Sequence, residues 1–130
     1  MAFDSGWKWD ETFEAAEDLS SSQFYVVTQT ASAETCELAD SQGELALGIV
    51  QNNPESGQDA TVRKLGYSKA IAGSTASGVV AAGALVTAAA DGRVEVAASG
   101  DYVLGRAVTA SAAENQVFTV DVFPQLVPLA

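Results

Sequence analysis

Of the side chains that do chemistry in proteins, this chain offers carboxylates and little else. Its 130 residues include 17 Asp and Glu, no histidine and one cysteine, Cys36. The commonest general base and metal ligand is therefore missing. A serine hydrolase relay has no base, and one thiol is too few for a zinc or iron–sulfur site. No disulfide can form within the chain. Cys36, in the run Thr35-Cys36-Glu37-Leu38, reads as a small packed residue.

Carboxylates alone could serve a two-carboxylate glycosidase. Here they sit mostly in the first 22 residues and in turns, and aromatic platforms for a sugar are few. A calcium loop is the other carboxylate chemistry. Asp40-Ser41-Gln42-Gly43 and Asp91-Gly92 are turn sequences, and neither has the spacing of an EF-hand loop. The run from Gly73 to Gly78 lacks the Gly-Lys-Ser/Thr ending of a phosphate loop and reads as a linker. The sequence thus predicts no enzyme: catalytic residues none, cofactor none, metal none.

The formal net charge of −11 bounds the partners further. Such a surface repels a phosphate backbone, so direct nucleic-acid binding is not expected. No apolar run approaches the roughly 18 residues of a membrane span, and no membrane partner is expected. The start, Met1-Ala2-Phe3-Asp4, does not have the form of a secretory signal. Synthesis in a cytoplasm and a soluble product are expected.

The elements that position these residues repeat. Gly43-Glu44-Leu45-Ala46-Leu47-Gly48-Ile49-Val50 returns as Gly100-Asp101-Tyr102-Val103-Leu104-Gly105-Arg106-Ala107. Val26-Val27-Thr28 precedes the first copy as Leu85-Val86-Thr87 precedes the second. Thr61–Leu65 follows the first as Thr119–Phe123 follows the second. The offset drifts from about 59 through about 57 to about 58 residues, as loop insertions would cause. Likewise placed glycines, Gly48 and Gly105, mark a bend or a close backbone approach in each copy.

Short apolar runs predict strands at Phe24–Thr30, Thr35–Ala39, Leu45–Gln51, Ala60–Leu65, Tyr67–Ala72, Ala84–Ala88, Arg93–Ala97, Tyr102–Ala110 and Val117–Phe123. Asp91-Gly92 signals a hairpin, and Val79–Gly83 a helical turn ending on glycine. The fold class is all-β: a small β-barrel with internal pseudo-duplication over residues 23–130, carrying a short C-terminal tail.

Residues 1–22 stand apart, with six carboxylates against Lys8 and the aromatics Phe3, Trp7, Trp9 and Phe13. They predict an extended N-terminal arm with an optional helical turn over Asp10–Leu19, or else a cap on the domain's own core. The tail after Phe123 cannot continue an ordinary ladder through Pro124 and Pro128. It leaves Leu126, Val127 and Leu129 to meet a neighbour. The candidate interface residues are therefore Phe3, Trp7, Trp9, Phe13, Leu126, Val127 and Leu129.

The run Ala46-Leu47-Gly48-Ile49-Val50, then Ala60-Thr61-Val62-Arg63, Val79–Thr87, Asp91-Gly92-Arg93-Val94, Leu104-Gly105-Arg106-Ala107-Val108 and Val117–Val122 resembles tailed-phage capsid decoration proteins, also called head-stabilising or capsid cement proteins. The resemblance covers Leu45–Phe123. It implies a β-barrel or β-tulip-like domain that forms a homotrimer on the outer surface of the virion capsid. There it would sit at three-fold and quasi-three-fold positions of the expanded head and bridge copies of the major capsid protein. Synthesis would be in the host cytoplasm. The alternative is a virion- or cell-surface adhesive module binding glycan or calcium.

Overall fold

The computed structural model describes residues 8–130. Eleven strands form: β1 (Trp9–Ala15), β2 (Val26–Gln29), β3 (Thr35–Leu38), β4 (Gly48–Val50), β5 (Asp59–Ile71), β6 (Val79–Val80), β7 (Leu85–Ala88), β8 (Val94–Val96), β9 (Gly105–Ala107), β10 (Ser111–Ala112) and β11 (Val117–Val122). One 3₁₀ turn lies at Thr75–Gly78. The all-β expectation holds. The expected helical turn at Val79–Gly83 does not: Val79 and Val80 pair with Ala112 and Ser111 as β6 and β10.

The strands close into a ring in the first half, in the order β1–β3–β2–β4–β5 and back to β1. The second half runs β5–β11–β9–β7–β8, and a parallel bridge from Ala72 to Val94 ties β8 back to the end of β5. Strand β5 is thus common to both halves. The sequence suggested two strands, Ala60–Leu65 and Tyr67–Ala72. They are one, bent at Gly66 (φ 104).

The repeat persists in the pairing register. Val27 pairs with Gly48 as Val86 pairs with Gly105. Thr28 pairs with Glu37 as Thr87 pairs with Glu95. A β-carbon on Gly48 would collide with the Arg63 carbonyl oxygen, and one on Gly105 with that of Asp121. The two Leu-Gly steps are therefore close backbone approaches.

The first half also begins earlier than the sequence suggested. Trp9–Ala15 is a barrel strand, antiparallel to β5 and parallel to β3, and is neither a free arm nor a helical turn. Thr12 and Glu14 face water, while Phe13 and Ala15 point inward. Period-two alternation was present, but carboxylates on the outer face disguised it.

Two cores result. Phe13, Ala15, Leu19, Val27, Cys36, Val50, Ala60 and Val62 fill the first barrel. The larger second core takes Val86, Val94, Leu104, Phe118 and Val120, and also Val26 and Ile49 from the first half. Neighbouring residues Val26 and Val27 hence serve opposite cores, and so do Ile49 and Val50. The strands β2 and β4 are buried on both faces, which is why they carry no polar alternation.

Candidate functional site

The most apolar exposed region lies where β1 begins. Trp9 faces Leu65 across the β1–β5 pair, and a register shift between Trp9 and Asp10 turns the strand there. Bulges of this kind re-aim a side chain. Just inside the bulge, the Arg63 guanidinium donates two hydrogen bonds to Asp10, at 2.8 and 2.9 Å, and a third to the Tyr67 carbonyl. Lys64 adds a longer pair to Glu11 at 3.5 Å. These contacts fix the base of Trp9 while the indole stays 49% exposed.

A groove of about 410 Å³ opens beside it, lined by Trp9, Leu45, Leu47, Leu65, Pro124 and Leu126. Leu126 is 80% exposed, and Val127 and Leu45 are also exposed. The tail reaches this position because its backbone is tied down. Gln125 donates to Val103, Leu129 donates to Asp101, and Gly100 donates to Leu129. Pro128 pairs with Tyr102 in an isolated bridge.

Next to the groove lies a shallower depression of about 300 Å³ lined by Lys8, Phe24, Arg63, Tyr67 and Lys69 among others. Three of the chain's six basic residues therefore line one depression on a protein of net charge −11. The Lys69 ammonium lies 5.5 Å from the centre of the Phe24 ring, within cation–π range. The depression thus gathers three cations, of which Arg63 is already paired with Asp10.

The structure sorts the nominated interface residues. Trp9 and Leu126, from opposite ends of the chain, line one groove, and Val127 is exposed in the same tail. Leu129 is half-buried and held by backbone bonds. Phe13 is corrected: at 7% exposure it belongs to the first core and is closed to a partner. Its place on the inward face of β1 is the reason. Phe3 and Trp7 lie outside the described residues. Sequence reasoning missed Leu45, Leu65 and the cationic depression. Leu45 and Leu65 looked like ordinary strand residues, and only the fold gathers Lys8, Arg63 and Lys69.

Cys36 is fully buried. Burial pushes its thiol up to about 11, with Glu17 adding to the rise. Such a thiol is protonated and unreactive at neutral pH. Among the described residues no three His, Cys, Asp or Glu side chains gather as a metal cluster.

A duplicated β-fold with an exposed apolar groove offers a preformed surface for a partner. The profile of the phage cement proteins matches residues 5–122, and the chain belongs to that family. It is a capsid-associated structural protein of a phage. Among solved structures it is similar to the head fiber gp8.5 N base of bacteriophage phi29. The two share 18% identity at a TM-score of 0.65, over 89% of this chain and 94% of the other. That likeness supports the fold. Among curated proteins, none matches.

Proposed function

We propose that this protein cements the phage head by docking on its outer surface as a homotrimer, at three-fold and quasi-three-fold positions, and bridging major capsid subunits. It acts by binding and catalyses nothing. The observation that carries this reading is the groove at Trp9 and Leu126, an apolar surface kept open on an otherwise acidic domain. Large exposed apolar patches mark interaction sites, and exposed tryptophan is a frequent anchor of binding energy. A trimer would present three such grooves, so each contact can be modest.

The experiment is a binding titration of purified protein on expanded, undecorated heads and on unexpanded ones. Saturable binding to the expanded shell is expected, weakened at least tenfold by Trp9→Ser with Leu126→Ser. Absence of saturable binding, or full binding by the double variant, overturns the reading. Sedimentation of the free and bound protein reports the trimer.

A further inference from the structure

Glu95 on β8 stands out among the residues that line no part of the groove. It is 4% exposed. Its Oε2 accepts a hydrogen bond from the Thr75 hydroxyl. Its Oε1, also buried, has no partner, and it is the only such buried side-chain atom among the described residues. A carboxylate only accepts, so Oε1 calls for a donor or a cation. Arg93, on the same hairpin, does not supply one: it donates to Asp91, Glu114 and Asn115.

The barrel frame does not require this burial. Glu37 holds the same place in the first half, opposite Thr28 as Glu95 is opposite Thr87, and Glu37 is only half-buried. The difference is the cover. The loop that brings Thr75 onto Glu95 continues through Ala76 (φ 54) and Ser77 (φ 57), two consecutive left-handed residues without glycine. Such strain persists where surrounding structure enforces it, ligand clamps included.

Glu95 lines a pocket of about 340 Å³ with Asp91, Ser74, Thr75, Gln42, Ala89 and Ala90. Every polar side chain there carries an oxygen, and none carries sulfur or imidazole. We propose that this pocket is a calcium site in which Glu95 is the anchoring ligand. Thr75, Ser74 and Gln42 are the further oxygen donors on hand, Asp91 being held by Arg93 through both of its oxygens, and water completes the shell. Hard oxygen donors select calcium or magnesium over zinc. An irregular pocket wider than the ion favours calcium, which accepts variable geometry, over magnesium, which demands an octahedron. With one carboxylate free to ligate, the affinity belongs to the weak class, a Kd of about 0.1–1 mM. Gln42 comes from the first half and Glu95 from the second, so the ion would link them.

The test is thermal unfolding and calorimetric titration of the full chain with calcium chloride up to about 10 mM, well above the weak-class Kd. Magnesium chloride and matched sodium chloride serve as controls. The expected result is a rise in Tm with calcium that exceeds the magnesium rise and disappears in Glu95→Gln. That variant should fold and melt no lower than the parent without calcium, because the amide keeps an oxygen that can accept from Thr75. Should Glu95→Gln fail to fold, Thr75→Ala is expected to cut the calcium response at least threefold and decides in its place. No calcium response in the parent overturns the proposal. An equal response in the variant that folds also overturns it, since diffuse screening of the −11 surface would then account for the effect.

Discussion

Phe13 and Ala60 face each other across β1 and β5 inside the first barrel. In the second half the matching pair is Ala70 and Phe118, across β5 and β11. The positions correspond (13 to 70, 60 to 118), but the large and small partners are exchanged. The summed volume of each pair is unchanged, and cores tolerate such exchanges best. Phe13→Ala should cost about 3–5 kcal/mol. Adding Ala60→Phe should recover a large part, because the second half already accepts that arrangement. Denaturant unfolding of the two single variants and the double variant measures the coupling. A double variant as unstable as the sum of its parts refutes the exchange.

Gly48 and Gly105 lie against backbone carbonyls that cannot swing aside as a side-chain tip can. Alanine at either position must push β4 off β5, or β9 off β11. Each substitution should cost roughly 2–4 kcal/mol, from the upper part of the ordinary range for added methyl groups in a core to somewhat above it. Gly57→Ala is the control, since a β-carbon there meets nothing within 4 Å, although its positive φ of 85 adds a smaller penalty. Chemical denaturation should rank Gly48 and Gly105 well above Gly57.

Cys36 corresponds to Val94 in the second half; the two pair with Gln29 and Ala88 at equivalent places. Its thiol is buried and held up near 11, so the folded protein should resist a thiol reagent at pH 8 and react fully in denaturant. Cys36→Val should fold and change stability by less than about 1.5 kcal/mol, as for other near-isosteric swaps. Rapid labelling of native protein would contradict this placement.

Asp91 accepts hydrogen bonds from the Arg93 side chain, which hold its carboxyl below the usual carboxylate range. A depressed folded value contributes stability above the unfolded value, near pH 4. That stability is lost as pH falls through the folded value. Asp91 is half-exposed, so solvent screening limits the gain to below about 1 kcal/mol. The Tm gap between the parent and Asp91→Asn should be constant from pH 5 to 7 and close below about pH 4. A gap that widens in acid would reverse the sign.

The duplicated core of the fold was legible because Gly48 and Gly105 sit in like surroundings and sequence alignment sees glycine easily. The start of the repeat was not. Trp9–Ala15 corresponds to Gly66–Ala72 in pairing, yet the two share almost no chemistry. The phenylalanine has changed strands, and Asp10 and Thr12 stand on the outer face where the second half has Tyr67 and Lys69. The groove was half legible. Exposed tail residues announced themselves by the prolines around them, whereas Trp9 joins Leu126 only through the bulge and the ring closure of β1 onto β5. The pocket at Glu95 left no signal at all, because burial of a single glutamate depends on the loop that covers it.

Strand β5 runs through both halves without a break. No linker separates the halves, so neither can rotate against the other as hinged domains do. Its ladder bonds lie across the strand direction, so a pull along its axis loads both flanking ladders in parallel rather than peeling one bond at a time. The domain is thereby built like a beam with a continuous central rod. A subunit clamped at both ends of that rod would yield by fracture of many bonds together, and would hold its length until it did.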